Sequence, residues 1–315
     1  MALSGIDAVT FGVPDMIEAQ RFLDDWGVAP VSSGTDRAEF QTLDGARLIV
    51  RPMDDPSLPA PIEAGKTVRE VLWGTDDAHA LAETLDRLGR VTTVEAAAGG
   101  PRATDPNGLS LAFGITHRRH VATPATPVNG PGSPMRIDQR SPVHLRAYPT
   151  KIGHIVLFAS DFPAMRHFYT EGLGFVVSDE YPGHGVFLRC QVEGAHHNLF
   201  ILNRPGRPGV NHVAFTVADI HEVIGGGIAM AKKGWKTEIG PGRHPLSSAY
   251  FWYFENPLAA PVEYYADDDY CTAAWQPGIF ERKPELFAEW AIAGGIDGTT
   301  RRQVAAVDES GRGHA

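Results

Sequence analysis

The feature that most constrains this chain is an internal repeat, in which a block near residues 1–115 and a block near 151–266 carry the same order of segments. GIDAVTFGVPDMIEAQRFLDDWGV, from Gly5, corresponds to KIGHIVLFASDFPAMRHFYTEGLGF, from Lys151. Each segment begins with the apolar alternation of a strand, passes through an Asp that suits a helix N-cap, and ends its amphipathic helix at a Gly. Both blocks therefore predict a strand followed by a helix.

A second pair of segments repeats this pattern further along each block. TVREVLWGTDDAHALAETLDRLG corresponds to GVNHVAFTVADIHEVIGGGIAMAKKG, and short strand-like runs follow each helix. The repeating unit is strand–helix–strand–strand–strand, twice per block. The sequence thus predicts an α+β fold with four βαβββ modules in two tandem domains. Each domain is expected to be a half-closed mixed β-sheet cup with its helices outside.

Composition shifts suggest the domain boundaries. Residues 1–115 form the predicted N-terminal domain, and residues 116–150 hold six prolines without a hydrophobic period, as expected of a linker. Residues 151–270 form the second predicted domain. For 271–315 we predict a helical extension, based on the run PELFAEWAIAG, and a polar tail.

Charge and cysteine content exclude several classes of protein. The chain has 28 basic and 38 acidic residues and a net charge of −10, which argues against binding to nucleic acid or to an anionic membrane. Two cysteines are too few for a disulfide scaffold. Neither a secretory signal nor an apolar run of membrane-spanning length is visible, so a soluble, cytoplasmic protein is expected.

Three potential metal ligands lie at related positions of the second block. His154 and His212 each lie in the first strand of a module, and Glu263 lies in the closing strand of the second module. Two neutral imidazoles and one carboxylate hold a divalent ion and leave one side of it open, as in the facial triad of non-haem Fe(II) oxygenases. A histidine in an apolar strand is more often a packed core residue, but the repeat-related placement of all three favours ligation.

The first block provides an internal comparison. At the positions that correspond to His154, His212 and Glu263, it carries Ala8, Glu70 and Ala112. If the His and Glu residues served only the fold, the two blocks would have no reason to differ at all three positions. We therefore expect the N-terminal domain to keep the scaffold and to lack the metal site.

At these residues the chain resembles the type I extradiol ring-cleavage dioxygenases of the vicinal oxygen chelate superfamily. The strongest motif is GRHPLSSAYFWYFENPLAAPVE, residues 242–263, and the resemblance extends over about 1–270. By this match His244 and Tyr253 are catalytic residues beside the metal. The run GAHHNLFI suggests His197 as the acid–base histidine, and its neighbour His196 is the alternative.

The resemblance implies an Fe(II)-dependent enzyme, with Mn(II) also permitted by the same ligands. It would cleave the ring of a catechol-type substrate with O2 and incorporate both oxygen atoms. The expected product is of the muconic semialdehyde type, formed in the degradation of aromatic compounds. The family also leads us to expect a homo-oligomer.

Two other functions use the same fold. One is a metal-dependent enzyme of the glyoxalase or epimerase kind, and the other is a protein that sequesters aromatic molecules. Enzymes of the first kind bind their metal with more carboxylates, and a sequestering protein needs no ligand triad. The residues therefore favour the dioxygenase.

Overall fold

The computed structural model describes residues 3–97 and 99–293 and contains two large mixed sheets, one in each half of the chain. In both halves the elements of the large sheet follow the order βαβββ twice, with a short strand, Gly194–Ala195, inserted in the third module outside that sheet, so the predicted α+β fold of four modules is confirmed. The repeat identified from the sequence is therefore the repeat on which the sheets are built.

The N-terminal sheet has eight strands. In chain order they are β1 Leu3–Val13, β2 Ala29–Ser32, β3 Ala38–Gln41, β4 Arg47–Pro52, β5 Thr67–Thr75, β6 Glu95–Ala97, β7 Gly100–Thr104 and β8 Ser110–Ile115. Their spatial order is β2-β3-β4-β1-β5-β8-β7-β6. The first strands of the two modules, β1 and β5, pair antiparallel at the centre, and each runs parallel to the last strand of its own module.

The C-terminal sheet repeats this arrangement and adds a strand at either edge. The strands of this half are β9 Lys151–Ala159, β10 Val176–Tyr181, β11 Gly185–Arg189, β12 Gly194–Ala195, β13 Leu199–Asn203, β14 Gly209–Thr216, β15 Thr237–Arg243, β16 Tyr250–Phe254, β17 Val262–Ala266, β18 Tyr270–Cys271, β19 Gly278–Ile279 and β20 Trp290–Ala293. The sheet order is β19-β10-β11-β13-β9-β14-β17-β16-β15-β20, and β12 pairs separately with β18.

Four α-helices follow the first strands of the four modules. They are α1 Met16–Trp26, α2 Ala78–Leu88, α3 Phe162–His167, which a π-helical turn continues over Phe168–Gly172, and α4 Ile220–Lys232. Each begins after an aspartate whose carboxylate accepts a hydrogen bond from a backbone N–H of the first turn, which fixes the start of the helix. Among the described residues, no helix is long and apolar enough to cross a membrane.

Strand register makes the two sheets directly comparable. In the C-terminal sheet His154 of β9 and Glu263 of β17 pair with the same residue of β14, which lies between them. In the N-terminal sheet Ala8 of β1 and Ala112 of β8 likewise both pair with Leu72 of β5. The correspondence between the two alanines and the two ligand candidates is thus fixed by backbone pairing.

The two halves share one hydrophobic core. Trp26, at the end of α1, is fully buried and stacks on Tyr264 of β17, with ring centroids 3.5 Å apart and planes 10° apart. The Tyr264 hydroxyl donates to the Trp26 carbonyl oxygen at 2.6 Å. A second contact joins the halves elsewhere, since the Tyr169 hydroxyl donates to Asp105 at 3.0 Å. The N-terminal half therefore supports the C-terminal sheet directly.

The C-terminal extension differs from the prediction. We expected a helix in the run from 284 to 294, but residues 284–286 form a single 3₁₀ turn and β20 is a strand. β20 pairs with β15 at the edge of the C-terminal sheet, so tertiary pairing determines its conformation. The predicted tail beyond residue 293 lies outside the described residues.

Candidate metal centre

His154, His212 and Glu263 come together on the concave face of the C-terminal sheet. The Nε2 atoms of the two histidines are 3.2 Å apart. Glu263 Oε2 lies 3.2 Å from His154 Nε2 and 3.3 Å from His212 Nε2. The three donor atoms therefore form a nearly equilateral triangle.

Strand pairing explains why these residues meet. They lie on β9, β14 and β17, which are three consecutive, hydrogen-bonded strands at the centre of the sheet. Side chains that alternate along a strand project from one face, and neighbouring strands are about 4.8 Å apart. A site built on three adjacent central strands is held by the backbone hydrogen bonds of the sheet rather than by mobile loops.

The protonation states suit a metal ion. Burial lowers the pKa of His154 to about 4, although Glu263 acts in the opposite direction, so the imidazole is neutral. Burial alone would raise the pKa of Glu263, but the facing histidines outweigh it and hold that pKa well below its usual range. A neutral His154 and an ionised Glu263 are the forms in which these two side chains bind a cation.

The distances between the three donor atoms also fit a bound metal ion. Metal–ligand bonds of about 2.0–2.2 Å at right angles place adjacent donor atoms about 3 Å apart. Glu263 Oε2 is buried and accepts no hydrogen bond within the described part of the chain, which leaves it available to a cation. His212 Nδ1 donates to Asn211 Oδ1 at 2.6 Å, so the lone pair is on the Nε2 that faces the centre. The three residues form a site for a metal ion.

His244 and Tyr253 lie beside this site and contact each other. His244 Nε2 is 3.1 Å from the Tyr253 hydroxyl, and His244 Nδ1 is 2.6 Å from the carbonyl oxygen of Phe287. Because a carbonyl can only accept, His244 Nδ1 donates to it, and His244 Nε2 can then accept a hydrogen bond from the Tyr253 hydroxyl. Burial raises the pKa of Tyr253 well above its usual value, so the hydroxyl stays protonated.

The two adjacent histidines 196 and 197 have different surroundings. His197 lines the cavity, and its ring centroid is 4.1 Å from that of His154. Burial, reinforced by His154 and His196, lowers the pKa of His197 well below its ordinary value. His196 is fully buried away from the cavity and bonds to Asp179 at 2.9 Å. Of the two, only His197 is placed to contact a molecule at the metal.

The metal site forms the end of a cavity of about 520 Å³. Its walls are mainly apolar and include Phe187 and Phe200, whose rings stack 3.8 Å apart, and Leu246. Leu286 and Phe287, from the C-terminal extension, close part of the wall. The volume exceeds what one small aromatic ring requires, so the cavity can hold a substituent on such a ring.

Two contributors to this site were not predicted from the sequence. Asn211 orients His212, and the only available signal was its position next to a proposed ligand. The Phe287 carbonyl fixes the protonated nitrogen of His244, but it belongs to a segment outside the repeat and had no sequence signal. Backbone carbonyls carry no residue identity, which is why such partners appear only in the structure.

Gly153 provides a test of how closely the site is packed. A Cβ atom added there would lie 2.0 Å from the Tyr265 hydroxyl oxygen, and the Tyr265 ring packs on His154. We expect Gly153→Ala to lower the free energy of unfolding by about 1–3 kcal/mol and to weaken metal binding. Gly130→Ala is the control, because no atom lies closer than 4.0 Å to the added Cβ. Equal unfolding midpoints for the two variants in urea would contradict this account.

The sequence of this chain is similar to a known protein family and to a characterised relative. Residues 151–264 match the family described as the Glyoxalase/Bleomycin resistance protein/Dioxygenase superfamily. Metapyrocatechase 2 of Cupriavidus necator is 33% identical over 190 residues, which are 59% of this chain and 58% of that protein. The chain therefore aligns with less than two thirds of that relative.

Two solved structures share the fold over most of the chain. An Mn(II)-bound glyoxalase from Novosphingobium aromaticivorans superposes with a TM-score of 0.74 and 25% identity, covering 93% of each chain. The 2,3-dioxygenase LapB from Pseudomonas sp. KL28 superposes with a TM-score of 0.70 and 15% identity, covering 89% of this chain and 98% of that one. Both halves of the molecule are included in these superpositions.

Proposed function

We propose that this chain, whose residues 151–264 match the Glyoxalase/Bleomycin resistance protein/Dioxygenase superfamily, is an extradiol dioxygenase that cleaves a catechol-type ring with O2. The observation that carries the proposal is the triangle of His154, His212 and Glu263, which opens on one side into an aromatic-walled cavity. The metapyrocatechase relative supports the same chemistry. The proposed product is of the muconic semialdehyde type.

We propose Fe(II) as the metal, with Mn(II) as the alternative that the same ligands accept. When bound, the ion supplies Lewis acidity to two neighbouring hydroxyl groups and an open coordination position for O2. The two histidines and the carboxylate would hold the ion, and the side of the triangle that faces the cavity would be open to substrate and O2. The apolar walls keep bulk water from the reacting ring and strengthen the polar contacts inside.

His197 and Tyr253 provide the proposed proton chemistry. Burial keeps His197 neutral, so its ring nitrogen can accept a proton from a substrate hydroxyl and return it later. The Tyr253 hydroxyl stays protonated in this proposal and donates a hydrogen bond to His244. The lone pairs of its oxygen then face the substrate and can accept a hydrogen bond from it. In this proposal His244, anchored on the Phe287 carbonyl, holds Tyr253 in that orientation.

A substrate screen tests the function. Protein loaded anaerobically with Fe(II) or Mn(II) would be mixed with a series of substituted catechols, and O2 uptake and the absorbance of a yellow product would be followed. We expect O2 uptake only with substrates that carry adjacent hydroxyl groups, and none from chelator-treated protein. Product formation without O2 consumption would overturn the proposal.

A paired substitution tests which histidine transfers protons. His197→Ala should retain the metal and lower kcat by about 10²–10⁴-fold, the usual contribution of a general acid–base residue. His196→Ala should lower the free energy of unfolding, because Asp179 loses its buried partner. It should lower kcat less than His197→Ala does, because His196 contacts His197, at 3.1 Å, but does not itself line the cavity. Steady-state rates and metal content of both variants are the measurements. The reverse order of the two kcat values would assign the role to His196.

A glyoxalase is the second candidate, favoured by the superposition on the Mn(II)-bound glyoxalase. Such an enzyme would isomerise the hemithioacetal of a 2-oxoaldehyde and a thiol without O2. The same metal-loaded protein would therefore be assayed anaerobically for thioester formation. Metal-free protein that binds aromatic molecules but shows neither activity would instead indicate sequestration.

We further propose a cytoplasmic homo-oligomer. Cys190 and Cys271 are both buried and free, which suits a reducing compartment. The 116–150 linker exposes large apolar side chains, including Ile137, Val143 and Leu145, of the kind that subunit contacts cover. Light scattering of the purified protein distinguishes an oligomer from a monomer.

A further inference from the structure

The N-terminal sheet keeps an open cavity although it lacks the metal ligands. The volume of this cavity, about 630 Å³, is similar to that of the cavity at the metal site. Protein interiors are normally packed to crystal-like density, and a domain that served only as a support would gain stability by filling such a space. A retained cavity of this size is typical of a site for a small molecule.

The floor of this N-terminal cavity is apolar. It is formed by Ala8, Leu72 and Ala112 on the central strands, with Ile49 on β4 and Leu58 above. Short side chains on the central strands leave the space into which longer ones would project. The floor suits the apolar body of a small ligand and offers nothing to a metal ion.

The charged groups that line the cavity are mostly basic. Within the described residues the lining contains Arg37, Arg51 and Arg102 but only one carboxylate, that of Glu70. Glu70 Oε2 already accepts hydrogen bonds from Arg102 Nε at 2.7 Å and from the Ser110 hydroxyl at 3.0 Å. Arg51 pairs with Asp55, outside the lining, so the positive charge that remains for an anionic ligand is at Arg37.

Arg37 is the guanidinium whose charge is least compensated. It donates to Glu39 at 2.6 and 2.9 Å, but Glu39 also pairs with Arg47, so one carboxylate serves two arginines. Of these two arginines, only Arg37 lines the cavity. A carboxylate bound at this rim would complete the charge balance with a charge-assisted hydrogen bond.

One wall of the cavity is fixed in place by a buried arginine. Arg69 donates from Nε to the Pro59 carbonyl at 2.6 Å and from Nη1 to the Met53 carbonyl at 3.0 Å. These bonds hold the segment from Met53 to Pro59, which includes the lining residues Ser57 and Leu58, against β5. The cavity is therefore preformed, and a ligand need not order its wall.

We propose that the N-terminal cavity binds a small organic carboxylate with an apolar body. The apolar part lies on the floor of Ala8, Leu72 and Ala112, and the carboxylate pairs with the arginines of the rim. This binding requires no metal and is independent of the reaction in the other half of the chain.

A titration with 3-phenylpropionate tests the charge requirement, with 3-phenylpropionamide as the neutral analogue. Binding would be measured by calorimetry on the full chain. We expect the carboxylate to bind at least about tenfold more tightly than the amide, as for a hydrogen bond to a charged group. Arg37→Leu should weaken carboxylate binding by about the same factor, whereas Arg90→Leu should leave it unchanged, because Arg90 pairs with Asp86 and does not line the cavity. Equal binding of carboxylate and amide, or equal effects of the two substitutions, would refute the proposal.

A second pair of variants identifies the cavity that is occupied. Ala112→Leu fills the N-terminal cavity and should abolish binding, whereas His212→Ala, in the other half, should leave it intact. Loss of binding in His212→Ala with retention in Ala112→Leu would assign the ligand to the metal-site cavity and overturn the proposal. If Ala112→Leu fails to fold, the comparison of Arg37→Leu with Arg90→Leu decides the question.

Discussion

We expect His212→Ala to lose both bound metal and O2 uptake with every catechol. The substitution removes one corner of the donor triangle and leaves only His154 and Glu263 at the centre. Loss of a hydrogen-bond partner behind a ligand already costs about 10–100-fold in metal affinity, so loss of the ligand itself should cost more. Metal content by mass spectrometry and O2 uptake by electrode are the two measurements.

A surface histidine provides the control for this experiment. The His79 side chain is 69% exposed on α2, far from the metal site in sequence, and His79→Ala should retain full metal content and activity. Circular dichroism should show both variants folded, since His212 is held on a central strand by backbone pairing. Wild-type metal content in His212→Ala would remove this residue from the ligand set.

The largest effect on stability is expected for Trp26→Ala. Trp26 has no exposed surface, stacks on Tyr264, and contacts Phe215 and Phe254 edge-on. Truncating such a side chain should lower the free energy of unfolding by about 3–5 kcal/mol. Urea unfolding monitored by fluorescence and by far-ultraviolet circular dichroism measures the loss.

Ile17 on the same helix is the matched control. Its side chain is 80% exposed, so Ile17→Ala should change the free energy of unfolding by less than about 0.5 kcal/mol. Because Trp26 joins the two halves, its truncation should also reduce activity near the unfolding midpoint. Comparable stability losses in the two variants would show that the interface contributes little.

The features that could be predicted from the sequence are those that the repeat encodes twice. The four helix-capping aspartates and the strand positions of His154 and Glu263 follow from comparing one block with the other. Strand register then brings these positions together, because modules with the same internal spacing pair in the same way. The grouping of His154, His212 and Glu263 could therefore be predicted from the sequence.

Features outside the repeat could not be predicted from the sequence in this way. The run from 284 to 294 has helix-forming residues, but β20 obtains its hydrogen bonds from Gly240, Gly242 and Arg243 of β15. Local propensity is a weak guide where an open sheet edge offers partners. The contact of the Phe287 carbonyl with His244 depends on this docking, so it too was invisible in the sequence.

Because both sheets share one strand register, each central position in one sheet has a counterpart in the other. Arg102 pairs with Ala112 across β7 and β8 as Tyr253 pairs with Glu263 across β16 and β17. A protein engineer could therefore install histidine at positions 8 and 70 and glutamate at position 112 without redesigning any backbone. One polypeptide would then offer two ion-binding cups of the same geometry, each on its own half of a duplicated scaffold.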